Sequence, residues 1–181
     1  MLNLIRKFAQ ARDGLAALEF ALIAPLMMIV LFGSIELSSA VDCNGRVNRV
    51  SSTVADLVAQ STSVSSTDVT SIFNCATSIL YPYASTNAKI VVTSITYDAT
   101  GKTAVAWSDA LNTTKRTTAP TDITAEMMNT DTSGKIVAGS VIYAEVQYSF
   151  STPINYFLSN GITLKSAFYT RPRRSTTVTH S

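Results

Sequence analysis

Hydrophobic and polar positions divide the 181-residue chain into three regimes. From residue 15 to 33 the run LAALEFALIAPLMMIVLFG is apolar on every side, interrupted by one acid, Glu19, and one proline, Pro25. Its length is about that of the twenty-residue apolar helix that crosses the roughly 30 Å hydrocarbon core of a bilayer. From residue 43 to 60 the apolar positions narrow to a stripe. Val47, Val50, Val54, Leu57 and Val58 recur at spacings of three and four, while Arg46, Asn48, Arg49 and Asp56 take other positions. An amphipathic continuation of the first helix is therefore predicted, with one face laid on a globular part. From residue 89 the period becomes two, the period of strands.

Between these regimes, residues 61–67 are rich in Ser and Thr without apolar period and read as a linker. Asp68 is expected to cap a helix whose Val69, Ile72, Phe73, Ala76, Ile79 and Leu80 share one face, ended by Pro82. Residues 89–98 and 103–108 predict an antiparallel hairpin, Gly101 taking the positive φ of the turn. Residues 110–134 are polar, with Ile123, Met127 and Met128 forming one helical turn over the sheet. Residues 141–150 alternate, placing Ile142, Ala144, Val146, Tyr148 and Phe150 on one face and Tyr143, Glu145, Gln147 and Ser149 on the other. After an apolar patch (Ile154, Tyr156, Phe157, Leu158), Asn160-Gly161 turns the chain into a fourth strand over 162–169. The tail from Arg171-Pro172-Arg173-Arg174 onward is polar and expected to fray. The fold class is α+β: a long N-terminal transmembrane helix continuing into a small domain with an antiparallel sheet of about four strands. Its parts are a basic leader (1–14), a spanning helix (15–36), an amphipathic continuation (37–60) and the α+β domain (61–181). A kink or a locally loosened turn is expected at Pro25, which cannot donate to the carbonyl of Ala21.

Charge sharpens this picture. The chain has 14 Lys and Arg against 12 Asp and Glu. Arg6, Lys7, Arg12 and Asp13 all precede Leu15, so the remainder is balanced at zero. The positive excess belongs to the N-terminal flank, which argues against nucleic-acid binding and places residues 1–14 on the cytoplasmic side by the positive-inside rule. Cys43 and Cys75 then lie on the outer side, where a disulfide is permitted and two free thiols are the alternative.

No enzyme constellation emerges, and no metal, cofactor or small-molecule substrate is implied. The single histidine, His180, lies in the tail expected to fray, so Ser-His, Cys-His and zinc chemistry lack their usual members. Asp122 and Glu126 would share a helical face, but carboxylates four apart read as a solvated surface. Trp107 suits sheet packing.

An ionised Glu19 inside an apolar helix costs on the order of 2.5–3.5 kcal/mol at mid-bilayer, less near an end. Gly14, four small or apolar residues and then Glu19-Phe20 resemble the processing site of type IV prepilins and pseudopilins. The fuller run Gly14-Leu15-Ala16-Ala17-Leu18-Glu19-Phe20-Ala21-Leu22, with Pro25 and then Phe32-Gly33-Ser34-Ile35-Glu36, resembles TadE-like pseudopilins of the tight-adherence (Tad, or Flp) pilus system. The resemblance is specific over residues 10–36. It implies cleavage after Gly14 by a membrane-embedded prepilin peptidase, insertion in the bacterial inner membrane with the α+β domain periplasmic, and assembly with other Tad subunits and their inner-membrane platform. Asn112-Thr113-Thr114, a glycosylation acceptor by pattern, is chance in such a setting.

Elementary chemistry supports the transfer. A cut after Gly14 would leave an α-amine on Leu15, largely protonated at neutral pH and one helical turn from Glu19. The pair would close within one chain or between neighbouring chains. Gly14 lets a protease approach the backbone closely, and Ala16, Ala17, Ala21 and Ala24 permit close helix packing in lipid. Three other readings are defined: Glu19 as an interfacial residue snorkelling to water; Ser38-Ser39-Ala40 as a secretory cleavage site before Val41; and the helix as a permanent tether for a periplasmic binding module.

Overall fold

A computed structural model describes residues 14–152 and 161–181. The leader up to residue 13, the apolar patch of Ile154, Tyr156, Phe157 and Leu158, and Asn160 lie outside the described residues. The chain is α+β, as its periodicities predict. Helix α1, Leu15–Ala59, is one helix of 45 residues that runs unbroken through Pro25. At 1.5 Å per residue it extends roughly 68 Å.

Along its second half a single stripe is buried: Glu36, Ala40, Cys43, Val47, Val50, Val54 and Val58, at spacings of three and four. Leu57, placed on the same stripe by the sequence pattern, is half-buried at its margin. Each fully buried valine contributes roughly 1.5–3 kcal/mol relative to an exposed one.

That stripe lies against the sheet, formed by β2 (Ala88–Tyr97), β3 (Thr103–Leu111), β4 (Gly139–Phe150) and β5 (Ile162–Thr170). The strand order is β3-β2-β4-β5, and every pair is antiparallel. Ala88, Ile90 and Val92 of β2 join Ile142, Ala144, Val146, Tyr148 and Phe150 of β4 in the same core as the α1 valines. Ser51 of α1 and Ser166 of β5 share a 2.7 Å hydrogen bond across this interface. A part-buried hydroxyl pair of this kind helps fix the register of helix on sheet as well as satisfying both groups.

The opposite face of β4 is covered along part of its length only. Val141 and Tyr97 are buried with Met128, backed by Ile123 and Ile136 from the long connection before β4. The helical turn expected there is a short 3-10 turn, Ala125–Met127. Towards the other end of the strand Gln147 and Ser149 stay exposed, so the clean half-buried alternation holds for that end alone.

Two turns on this side have one design. Asp98 in DATGK and Asp131 in DTSGK each accept backbone N–H groups from the residues two and four positions on. In both, a glycine three positions after the aspartate takes a positive φ: 82° at Gly101 and 77° at Gly134. Glycine meets that requirement without steric cost.

Two expectations for the second helix need correction. Helix α2 is Ser66–Ser78, and its N-cap is Ser65 rather than Asp68. Asp68 completes a capping box: Asp68 N–H donates to Ser65 Oγ at 3.2 Å, and Ser65 N–H donates to Asp68 Oδ2 at 2.9 Å. Residues 61–67 are also more than a linker, since they contain strand β1, Ser63–Val64, with Val64 buried.

The partner of β1 is the largest correction. The tail is not frayed: Thr179–His180 form β6 and pair in parallel with β1. Arg173 N–H donates to the carbonyl of Ala59 at 2.9 Å, and its guanidinium pairs with Asp56. Arg171 donates to the carbonyls of Glu126, Met127 and Met128. Val178 is buried, and Trp107 donates its indole N–H to the Val178 carbonyl at 2.7 Å. Polar composition misled the sequence reading, because these polar groups satisfy backbone carbonyls and carboxylates of other elements rather than water.

Candidate functional site

The singled-out residues lie along one helix. Gly14 is the N-cap of α1, in αR conformation and without a side-chain cap. A Cβ built at Gly14 meets nothing within 4 Å, so the described residues leave the Gly14–Leu15 junction open. Leu15 and Phe20 are 60% and 70% exposed, and Glu19 is exposed between them. Leu15 and Glu19, four apart, share a helix face. The exposed apolar surface continues through Leu22, Ile23, Leu26, Met27 and Leu31. A contiguous apolar surface of this size marks a lipid or protein contact. Helix α1 is the one described helix long and apolar enough to cross a membrane.

At the other end of the motif the environment changes. Gly33 is half-buried and Glu36 is 2% exposed. Glu36 is thus the first member of the stripe that enters the domain core. The motif residues do not converge: Gly14, Leu15, Glu19 and Phe20 stand at one end of the apolar segment, Pro25 within it, and Gly33 with Glu36 at the junction. From Glu19 to Glu36 is 17 helical residues, roughly 26 Å. The arrangement offers a linear recognition element rather than a pocket.

Just beyond the junction, a group that sequence reasoning missed ties α1 to the domain. Arg46 donates from Nε to Asp42 Oδ2 at 2.8 Å and from a terminal nitrogen to the carbonyls of Ile79 and Tyr81. It thereby supplies donors to two carbonyls of the segment that follows α2. Tyr83 donates to the Ser39 carbonyl at 2.9 Å and to Asp42 at 3.0 Å. These hydrogen bonds, from Arg46 first, hold the Asp42 carboxyl below the usual carboxylate range. Burial pushes the Tyr83 hydroxyl up to about 12. The i,i+4 spacing of Asp42 and Arg46 was the available signal.

The two cysteines are not joined. Cys43 is a free thiol on the buried stripe, and Cys75 a free thiol on the exposed face of α2. The inward positions of α2 are Val69, Phe73 and Ala76, which turns Cys75 away from the core that holds Cys43. Burial raises the Cys43 thiol to about 11.

Candidate chemistry elsewhere resolves into structural roles. His180 is held, its Nε2 lying 2.7 Å from Asp109 Oδ2, while Lys115 pairs with the other oxygen of Asp109. Asp122 accepts from the Tyr143 hydroxyl at 3.0 Å and shares no helix with Glu126. Asn112 takes a φ of 56° and donates to the Ala88 carbonyl. Trp107 packs at 5.2 Å from the ring of His180. Among the described residues no group of three or more His, Cys, Asp or Glu side chains is placed to hold a metal ion.

With the site so distributed along α1, family comparison finds a similarity over that helix. Residues 14–56 match the family model for TadE-like protein. The TadE-like segment begins at the N-cap of α1 and ends three residues short of its last turn's final residue, Ala59. It therefore takes in the exposed apolar half, the Glu36 junction and most of the core stripe, and leaves the sheet outside. No curated protein and no solved structure matches the chain.

Proposed function

We propose that this TadE-like chain is a minor pseudopilin of Tad (Flp) pilus biogenesis, cleaved after Gly14 by a prepilin peptidase and contributing to pilus assembly or initiation. Residues 15–36 anchor it once in the inner membrane, with the N-terminus cytoplasmic and the α+β domain periplasmic. Its partners are the peptidase, other pilus subunits and the assembly platform. The observation that carries the reading is that the TadE-like match starts at Gly14 itself and runs through Glu19 along a helix whose apolar surface is left exposed by the described residues.

In this reading the Leu15 amine appears only on cleavage. It stands one turn from Glu19 on the same face, so a carboxylate that burdens the uncut chain gains a cationic partner in the cut one. Across two chains, the same pair sets the axial register of packed helices.

N-terminal sequencing of the membrane-associated protein tests the cut. Leu15 is the expected first residue; Val41 would mean a secretory signal and Met1 an uncleaved anchor, and either overturns the proposal. Gly14→Ala is expected to retain the leader, seen as a slightly larger band. Glu19→Ala is expected to insert normally and to lose pili or partner complexes. Replacing residues 1–36 with an unrelated anchor should abolish function; retained function would favour a tethered binding module.

A further inference from the structure

On the face of the sheet turned away from α1, three residues form one cross-strand row: Lys89 pairs with Gln147, and Gln147 with Lys165. All three are exposed. The two lysines stand two strand spacings apart, roughly 9.5 Å. Neither has an ion-pair partner among the described residues. Beside the row, residues 113–118 wall a groove of about 310 Å³ with threonine hydroxyls.

The groove holds one carboxylate, Glu145, and Arg116 neutralises it with two hydrogen bonds, Nε to Oε2 at 2.8 Å and Nη2 to Oε1 at 2.6 Å. Lys115, also at the rim, is already paired with Asp109. What remains uncompensated is the charge of Lys89 and Lys165, set on a flat polar surface in a domain whose formal charge beyond residue 14 is zero.

Three kinds of anion are disfavoured. Ser166 bonds to Ser51, 15 helical residues beyond Glu36, so the row stands roughly 22 Å along α1 from the end of the apolar segment, beyond reach of lipid headgroups. Among the described residues no aromatic ring lines the groove, which removes the stacking platform on which bases depend and on which sugar rings pack. An extended polypeptide needs no such platform. In the polyproline II conformation, with three residues per turn and a 3.1 Å rise, its side chains three residues apart lie on one side and roughly 9.3 Å from each other, close to the spacing of the two lysines.

We propose that this face binds an extended acidic polypeptide segment lying along the lysine row and the groove beside it, with carboxylates seated on Lys89 and Lys165 and its backbone against Gln147 and the threonine wall. The site is separate from the α1 motif and does not depend on the pseudopilin reading. The test uses the full chain in phosphatidylcholine nanodiscs with a labelled hexaglutamate peptide, and a galacturonate hexamer as the polysaccharide comparator. Peptide binding that falls with added salt is expected, weakened about tenfold in Lys89→Gln/Lys165→Gln. In Lys89→Glu/Lys165→Glu, binding should pass from hexaglutamate to hexalysine. Unchanged Trp107 emission verifies that each variant is folded. Absence of peptide binding, equal binding of the galacturonate hexamer, or binding indifferent to the double substitution would overturn the proposal.

Discussion

The indole N–H of Trp107 donates to the carbonyl of Val178 at 2.7 Å, fastening β3 to a residue 71 positions later in the chain. Because the acceptor is a main-chain carbonyl in the tail, this bond joins the β6 pairing and the Arg171 and Arg173 contacts in holding the tail to the domain. Trp107→Phe keeps most of the ring's burial and removes the donor, so it should cost about 1 kcal/mol in denaturant unfolding. Truncation after Thr177 should cost more, since it also removes buried Val178. Trp107 is the only tryptophan, and its emission should shift to the red in the truncated chain. Unchanged emission and stability would mean that the tail does not rest there.

Thiol labelling checks the placement of the cysteines. In the native chain one thiol, Cys75, should react with a maleimide. Cys43, on the buried stripe and with its thiol raised to about 11, should react only after unfolding. Cys75→Ser should remove the native signal entirely. Two equivalents in the folded protein, or none, would contradict the assignment.

The capping box at α2 gives a measured-energy test. Ser65→Ala removes the acceptor for Asp68 N–H and should cost about 1 kcal/mol in unfolding free energy. Asp68→Asn retains a side-chain acceptor while removing the charge. It should cost less than Ser65→Ala if the hydrogen bonds, rather than the charge at the helix N-terminus, dominate.

Stability should respond to pH at both ends of the scale. Hydrogen bonds from Ser65 hold the Asp68 carboxyl down, and those from Thr100 first, then Lys102, hold the Asp98 carboxyl down. For such depressed groups the stabilisation is present above the unfolded carboxylate pKa of about 4 and is lost as pH falls through the folded value. Tyr83 behaves oppositely. Raised to about 12 chiefly by burial, it contributes fully below the unfolded tyrosine pKa of about 10, and that contribution disappears as pH rises through about 12. Denaturant midpoints across pH should fall at both ends. Asp98→Asn should flatten the acid limb and Tyr83→Phe the alkaline one.

The parts of this fold that were legible in the sequence are those governed by one period. The apolar run from residue 15, the valine stripe of α1, the Gly101 hairpin and the alternation of β4 each follow from local spacing. What escaped was long-range and polar. Arg173 reaches Asp56 and the Ala59 carbonyl, and His180 reaches Asp109, across separations that leave no local pattern. Ser65 was passed over for Asp68 because both are good caps and only the position of the first helical turn separates them. Cys43 and Cys75 invited pairing because each is the other's only possible partner, although the apolar face read for the second helix already leaves out Cys75. The Lys89–Gln147–Lys165 row exists only through strand register, which no single segment encodes.

The continuity of α1 turns the domain's heading into a matter of helical phase. One helix carries both the apolar end and the stripe seated on β4 and β5, with no hinge residue between Gly33 and Ala40. Each residue of an α-helix advances the azimuth by about 100°. Adding one residue between those positions would thus swing the sheet, and every surface on it, by about that angle around the helix axis relative to Glu19. Which way the Lys89–Lys165 face points around the axis is therefore counted out in residues along α1.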